Sequence, residues 1–354
     1  MAQVRKYTQV MSVIERRVRE GDYLLHDIPG ERRIAEETGV SYMTARRAVI
    51  ELLDKKVLIR RNNGSLDIHP GYNKRNMQTK VVLLYPAYAS PYLVLLRQLV
   101  SAALEKRGLT LRPVQFVHWD DPIIVDAVSN AGGVLIIPSA DSISARILEP
   151  IRQSKVVALD ADFSGDGVPS IRLFPDRHVR MVFDHLAELG HTRVDCINTQ
   201  CRNPEIDRRI DLWHEWLEAR DIQGRLWDYP APSYADPTPY AHEMMCRLID
   251  QKRTAATAFV CTTFPAALGA VRSHWERGIR VGADVSVCAI NIEPPARYYC
   301  PSISGLDMPD LSGVLTKCFR WFGQDKPWRG NALLEPAQPV FFAGESTGPL
   351  AVPA

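Results

Sequence analysis

The sequence lacks any run of about 18 apolar residues, the length that a membrane-spanning helix needs. It also lacks the apolar segment and small-residue cleavage site of a secretory signal, because charged residues are spread throughout residues 1–21. We therefore expect a cytoplasmic protein that has no membrane partner.

Residue patterns that carry catalytic or metal chemistry are also scarce. The seven cysteines form no Cys-x-x-Cys pair and have no His-x-x-x-His nearby, so we predict no metal site and no cofactor. The sequence contains no phosphate-binding glycine loop and no His-Glu-x-x-His motif. His118, Asp120 and Asp121 lie together, but the start of a helix is the simpler explanation. We predict no catalytic residues and no enzymatic activity.

The charge is unevenly distributed along the 354 residues. Residues 1–80 contain 16 Lys and Arg against 10 Asp and Glu, whereas the remainder is slightly acidic, and the net charge of the whole chain is +2. A basic end can bind a polyanion, although a bias of this size is also compatible with an ordinary solvated surface.

The basic end has the pattern of a helix-turn-helix followed by a hairpin. Residues 7–20 carry apolar side chains at helical spacing, and a second helix begins near Glu31. Gly39 permits a tight turn, after which Ser41 is suited to cap a third helix. Residues 57–61 and 65–68 then form a predicted hairpin. This arrangement fits a helix into the DNA major groove, and a small helical bundle is the alternative.

The segment PGERRIAEETGVSYMTARRAVIELL and the hairpin after it resemble the winged helix-turn-helix of the GntR family. The resemblance covers about residues 7–69. It implies base contacts from Arg32 at the second helix, phosphate and base contacts from Thr44 and Arg46, and a wing tip at Gly64. The sequence departs from the family at Tyr42, where many members have arginine, and at Lys56, where they usually have glycine.

The candidate contacts with double-stranded operator DNA are residues that we expect to be exposed on the second helix, the third helix and its cap, or the wing. They are Arg32, Ser41, Tyr42, Met43, Thr44, Arg46, Arg47, Arg61 and Gly64. Arginine is suited to this role because its guanidinium can donate two hydrogen bonds to guanine.

Strands and helices alternate beyond a polar stretch at residues 70–80, which we interpret as a linker. Residues 81–290 alternate between apolar runs of strand length and helical segments, from VVLLY at 81–85 to VSVCAI at 285–290. This rhythm predicts an α/β fold with two open parallel sheets and a ligand cleft between their carboxyl edges.

The large domain resembles the LacI-type regulators and their periplasmic-binding-protein-like fold. HLAELGHTRV at 185–194 is close to that family's signature, and the similarity extends over about residues 80–347. We therefore predict a winged helix-turn-helix domain at 1–69 and an effector-binding, dimerising domain at 81–354. Its first subdomain is expected at about 81–165 and 291–325, and its second at about 166–290 with the C-terminal end.

The resemblance places possible ligand contacts at the cleft edge of the strands. Asp160, Arg209 and Asn291 fall on family ligand positions, and Thr263 lies where the family has polar residues. Arg209 could instead pair with Asp207 or Glu205 on the surface, Asp160 could cap a turn, and the tyrosines could serve packing. The full set of candidates is Tyr85, Tyr88, Tyr92, Asp160, Arg209, Tyr234, Thr263 and Asn291.

Together these patterns predict a transcriptional regulator, a repressor, controlled by a sugar or sugar-like effector. The alternatives are a solute-binding or sensor protein and a regulator that responds to a non-sugar metabolite. A homodimer is expected because two heads bind a near-palindromic site. The apolar helix at 91–107 is the candidate dimer surface, although nearby loops could cover it instead.

Overall fold

The computed structural model of the protein describes residues 6–20, 28–72, 80–88 and 90–350. Most of the predicted linker, residues 73–79, lies outside these ranges, and residues 70–72 are helical. Within the described ranges, no helix combines the length and the apolar character that crossing a membrane requires.

The amino-terminal domain has three helices and a two-stranded wing. Its elements are α1 (Lys6–Glu20), α2 (Glu31–Thr38), α3 (Tyr42–Asp54), β1 (Leu58–Arg60) and β2 (Leu66–Ile68). The two strands pair antiparallel, and the apolar faces of all five elements meet in one core. Gly39 ends α2 at a φ of 64°, which is the left-handed turn that its lack of a Cβ predicts.

Lys56 occupies a left-handed position between α3 and β1, with a φ of 53°. A left-handed conformation costs a non-glycine residue roughly 1–2 kcal/mol, whereas glycine loses roughly 0.5–1 kcal/mol of extra entropy on folding. Lys56→Gly should therefore stabilise the domain by about 0.5–1 kcal/mol. Hydrogen–deuterium exchange of the α3 amides in the full chain would measure the change.

Lys55→Gly is the matched control for that substitution. Lys55 caps α3 at a φ of −74°, where lysine is unstrained, so glycine should not stabilise the domain. Equal protection in both variants would contradict the assigned strain.

Within its described residues, the large domain contains ten β-strands and seven α-helices up to β12, followed by one more helix and two short strands. The elements of its first part are β3 (Lys80–Pro86), α4 (Pro91–Glu105), β4 (Thr110–Phe116), α5 (Pro122–Asn130), β5 (Gly133–Ile136), α6 (Ala145–Arg152), β6 (Val156–Leu159) and β7 (Ser170–Ile171). Those that follow are α7 (Asp176–Glu188), β8 (Val194–Asn198), α8 (Pro204–Arg220), β9 (Leu226–Asp228), α9 (Pro237–Asp250), β10 (Ala258–Cys261), α10 (Phe264–Trp275), β11 (Ser286–Asn291), β12 (Ser304–Leu306), α11 (Ser312–Phe322), β13 (Leu333–Leu334) and β14 (Phe341–Phe342).

The strands of the large domain form two six-stranded sheets, which define a first and a second lobe. The first sheet has the order β13-β7-β6-β5-β3-β4 and is parallel throughout. The second has the order β14-β12-β11-β10-β8-β9, in which only β14 runs antiparallel. Helices cover both faces because parallel strands need crossovers, and the central strands are fully buried as a result. The predicted fold class is confirmed.

The positions at which the chain crosses between the lobes differ from the subdomain boundaries predicted from the sequence. β7 begins at Ser170 and still belongs to the first sheet, and Ser304–Leu306 pairs with β11 in the second. The chain re-enters the first lobe only with α11, where Phe322 packs so closely on Gly133 that a Cβ there would lie 2.2 Å from the ring. The assignment of residues 291–325 to the first lobe was therefore wrong for β12. This short strand pairs in parallel with β11 and so belongs to the second sheet.

The proposed dimer helix, α4, is less exposed than its sequence suggests. Leu93, Leu96, Val100 and Leu104 are buried in the first lobe, and the side chain of Val94 is 44% exposed. Helix α11 packs beside α4, where Arg107 contacts the hydroxyl of Thr316. The apolar surface left for a partner is thus a narrow strip around Val94.

Candidate DNA interface and effector cleft

The third helix presents its first turns to solvent. The Ser41 hydroxyl accepts a hydrogen bond from the Thr44 backbone N–H at 3.3 Å and lies 2.9 Å from the Thr44 hydroxyl. These contacts cap the amino-terminal end of α3 and hold the two side chains in place. Tyr42 and Arg46 are exposed, and Met43 is 65% exposed. The inward face of the helix carries Ala45, so the outward set is the one predicted from the sequence.

The start of α2 lies against the same surface. Arg32 is exposed there, and the neighbouring Glu31 is close enough to Arg46 to be influenced by its charge. Burial opposes ionisation of Glu31, but the hydrogen bond from Arg60 and the nearby positive charges outweigh it and lower its pKa. Arg32 and Arg46 therefore belong to one surface, in which the carboxylate of Glu31 lies among arginines.

Arg60 fixes the wing to this surface. Its guanidinium donates to the Glu31 carboxylate at 2.6 Å and to the Gly64 carbonyl oxygen at 2.9 Å. Gly64 turns the wing tip at a φ of 84°, and open space surrounds the position of its missing Cβ. The sequence analysis did not select Arg60, although its contacts set where the wing lies relative to α2.

Arg60→Ala should weaken binding to every DNA duplex by roughly two- to five-fold, the effect of losing exposed ion pairs and wing alignment. Sequence preference should survive, because the α3 side chains are unchanged. Fluorescence anisotropy with specific and random duplexes would measure both quantities. Arg33→Ala is the control, since Arg33 pairs within the described part of the chain with the exposed Glu37 on the same helix. An equal loss there would contradict a specific role for Arg60.

The cleft between the lobes contains a hydrogen bond from Tyr92 to Asp160. The Tyr92 hydroxyl donates to the Asp160 carboxylate at 2.8 Å, and Asp160 follows β6 at a φ of 60°. Burial raises the pKa of Asp160, while the positive charge of Arg209 and the bond from Tyr92 act in the opposite direction. The cleft thus contains a buried carboxyl group whose pKa lies above its ordinary value.

Arg209 is buried and connects α8 to two strand ends of the second lobe. One of its terminal nitrogens donates to the Thr262 carbonyl oxygen at 2.6 Å and to Asn291 Oδ1 at 2.8 Å. Its guanidinium also lies 5.5 Å from the ring centroid of Phe174. The surface pairing considered for Arg209 does not occur, because Asp207 contacts Arg202 and Glu205 contacts Arg172.

The mouth of the cleft is lined by both lobes. Tyr234 donates to the Val117 carbonyl oxygen of the first lobe and packs edge-on against Tyr88, with ring centroids 5.9 Å apart. Burial, followed by the nearby Asp160, raises the pKa of Tyr88 to about 12, so its hydroxyl remains protonated. The adjoining open space measures about 590 Å³, part of which is continuous with solvent.

Two hydroxyl groups at the cleft have no hydrogen-bond partner within the described part of the chain. Thr263 Oγ1 is buried beside the start of α10 without capping it, and Ser139 Oγ is buried in the wall of the open space. Buried hydroxyls are normally paired, so a polar ligand or water is the expected partner. Thr263 was predicted from the sequence, whereas Ser139 was not.

Comparisons with protein families match both parts of the chain. Residues 6–68 match the bacterial regulatory proteins of the gntR family, and residues 183–310 match a periplasmic binding protein-like domain. The chain joins a GntR-family helix-turn-helix domain to a periplasmic-binding-protein-like domain. The two predicted resemblances are confirmed.

Individual relatives of this GntR–periplasmic-binding-protein chain extend the comparison. It is 24% identical over 322 residues to the lactose operon repressor of Escherichia coli (strain K12), covering 85% of the chain and 86% of the relative. A LacI family regulator from Arthrobacter sp. FB24 in complex with lactose has a TM-score of 0.64 at 14% identity, covering 76% and 99%. A Lac repressor dimer bound to operator and an anti-inducer gives 0.61 at 20% identity, covering 77% and 94%. The structural matches establish the fold.

The remaining candidates in the GntR-type domain are held by their own neighbours. The Arg47 guanidinium lies 4.4 Å from the ring centroid of Tyr7, and Arg61 contacts the Asp67 carboxylate at 2.9 and 2.5 Å. Both side chains are exposed. Their DNA contacts stay predictions, and Arg61 would have to leave or share Asp67 to reach a phosphate.

In the periplasmic-binding-protein-like domain, the structure brings most of the predicted ligand residues together. Tyr92, Asp160, Arg209 and Asn291 form one connected group, in which Asn291 accepts from Arg209. Tyr85 is half-buried and packs on the core of the domain. Whether these residues contact a ligand stays a prediction.

A second charged group beside the first was missing from the sequence predictions. Arg172 contacts Asp162 at 3.0 Å and Glu205 at 3.5 Å. Burial raises the pKa of Glu205 against the opposing charge of Arg172. Arg172 follows a two-residue strand, which is too short to leave a period in the sequence, so no local signal marked it.

Proposed function

We propose that the protein is a DNA-binding transcriptional repressor whose operator affinity is set by a small polar molecule in the cleft. The observation that carries the proposal is the exposed surface formed by Arg32 on α2 and Arg46 on α3, joined in one chain to a cleft with a polar centre. Homology to the lactose operon repressor supports the same conclusion.

Base recognition in this proposal depends on the two exposed arginines. Arg46 enters the major groove from the first turns of α3, and Arg32 reaches base edges from the start of α2. Thr44, Lys55 and the wing around Gly64 contact the phosphate backbone and fix the orientation of the domain. Phosphate contacts add affinity for any sequence, so the discrimination comes from the arginines.

The cleft is suited to a sugar or a similar polyol. Asp160 offers acceptor oxygens, the tyrosine rings offer apolar faces, and the Thr263 and Ser139 hydroxyls offer both donors and acceptors. The relative that was solved with lactose has the same fold. A non-sugar metabolite with several hydroxyl or amide groups is the second candidate. Asn291 stands where LacI-type regulators usually have an aspartate, and it is already bound to Arg209.

Ligand binding controls the DNA-binding domain through lobe closure in this account. The contact from Tyr234 to Val117 spans the two lobes, so a molecule that inserts beside it changes their separation. The shift in operator affinity can be no larger than the difference in the ligand's affinity for the two states.

The assembly is proposed to be a cytoplasmic homodimer. Two GntR-type domains would then bind half-sites about 34–36 Å apart or a multiple of that spacing. The exposed strip around Val94 on α4 is the proposed contact between copies. Within each copy, residues 1–69 form the DNA-binding domain and 81–354 the effector domain, with the linker at 70–80.

A thermal-shift screen of the full chain against sugars, polyols and amino acids tests the effector half of the proposal. We expect at least one polyol to raise the unfolding temperature and to change DNA affinity in a separate anisotropy titration. A solute-binding protein, the rival from the sequence analysis, would give the first result without any DNA binding. No shift with any polyol, together with a clear shift for another class, would overturn the sugar assignment.

A further inference from the structure

One cluster of potential metal ligands lies on the second lobe, in helices α9 and α10. His242 Nε2 is 2.8 Å from Glu276 Oε2 and 3.4 Å from Cys246 Sγ. All three ligand atoms lie within 4.8 Å of one another. These residues belong neither to the DNA interface nor to the cleft, and the family resemblances assign them no role.

We propose that His242, Cys246 and Glu276 form a zinc-binding site. An imidazole, a thiolate and a carboxylate are all established zinc ligands, and three protein ligands plus water complete a tetrahedral shell. As the sulfur–zinc bond forms, the Cys246 thiol releases its proton to solvent, so the site gains one negative charge for the bound Zn²⁺.

The two helices fix the ligands in suitable positions. His242 and Cys246 are four residues apart on α9, which places them on the same face one turn apart. Glu276 comes from the end of α10, and the close contact of Gly269 with Ala241 and His242 aligns the two helices. Tetrahedral zinc separates its ligand atoms by roughly 3.3–3.7 Å. The His242–Cys246 pair, 3.4 Å apart, already has this spacing, whereas the His242–Glu276 pair has to open slightly.

Neighbouring charges support this site. Arg272 holds the other Glu276 oxygen at 2.7 Å, and Asp250 holds Arg277 at 2.7 and 2.6 Å. Arg277 also donates to Cys246 Sγ at 3.0 Å, which is the outer contact expected for a metal-bound thiolate. The charges of Arg272, Arg277, Glu276 and Asp250 cancel, so the thiolate that Cys246 forms on binding the metal adds one net negative charge to meet Zn²⁺.

The site is also accessible to a metal ion. His242 and Cys246 are half-buried and Glu276 is exposed, so an ion can enter from solvent without unfolding a helix. No metal site was predicted from the sequence, because the prediction depended on Cys-x-x-Cys and His-x-x-x-His pairs, which are absent. The His-x-x-x-Cys spacing on α9 becomes a site only with a glutamate 30 residues further along the chain, which folding brings beside it.

Cobalt(II) spectroscopy and zinc equilibrium dialysis on chelator-treated full chain test the proposal. We expect one zinc ion per chain, and a thiolate-to-cobalt charge-transfer band that Cys246→Ser abolishes. His242→Asn and Glu276→Gln should each weaken zinc binding by about ten-fold or more. Circular dichroism would confirm that each variant folds.

Cys300→Ser is the matched control, because Cys300 is an exposed cysteine away from the cluster. It should keep both the cobalt band and the zinc stoichiometry. The proposal is overturned if wild-type protein binds no zinc at micromolar free concentrations. It is equally overturned if Cys246→Ser retains the band, since the metal would then bind elsewhere.

Discussion

Arg46→Ala is expected to lower the preference of the protein for its operator over random DNA by roughly 5- to 150-fold. One bidentate arginine–guanine contact contributes roughly 1–3 kcal/mol of discrimination, and the exposed Arg46 at the start of α3 is placed to form one. Affinity for random duplex should fall much less, because the phosphate contacts remain. Arg32→Ala is expected to act in the same direction at a different base position.

The effect of Arg46→Ala is best measured as a ratio of dissociation constants for operator and random duplex at one salt concentration. Arg33→Ala is the control, since it removes an arginine of equal charge from α2 that is bound to Glu37. If the Arg46 variant kept the wild-type ratio, α3 would not be the recognition helix.

Arg209→Met is expected to abolish the effector-induced thermal shift and to destabilise the large domain by about 3–5 kcal/mol. The substitution leaves the Thr262 carbonyl oxygen and Asn291 Oδ1 without their donor, and it removes the positive charge nearest Asp160. With that charge gone, burial would raise the pKa of Asp160 further. Binding to DNA without effector should survive at temperatures where the variant is folded.

Two further variants separate the structural role of Arg209 from its role in ligand binding. Arg209→Lys keeps the positive charge but not the planar fork, so it should recover part of the stability and little of the effector response. Arg220→Met, in which an exposed arginine of the same helix loses its contact with Asp184, should change neither. An effector shift that survives in Arg209→Met would show that the ligand binds elsewhere.

The order of helices and strands was predictable because buried parallel strands leave continuous apolar runs. The predicted strand at 133–138 and helix at 206–220, for example, follow from local periodicity, with ends that differ by a few residues from those observed. The β12, β13 and β14 strands have two or three residues each, so they have no period to detect. The position of each of these strands in its sheet depends on the neighbouring strand with which it pairs.

The sites were only partly predictable, since their key contacts join residues far apart in sequence. Arg60 reaches Glu31 across 29 positions, and Arg209 reaches Asn291 across 82. A residue type at a family position suggests a role, but its partner depends on the packing of α8 against the ends of β10 and β11. Lys56 stands where the family usually has glycine, and the structure places it at a left-handed φ of 53°, a conformation that was not predicted from the sequence.

Selection of duplexes from a random pool by the full chain, at about 0.15 M salt, tests the central claim most directly. The account predicts enrichment of a near-palindromic site, and the double variant Arg32→Ala, Arg46→Ala should fail to enrich it. Recovery of no sequence by the wild-type protein, with and without the small molecules that raise its unfolding temperature, would contradict the account.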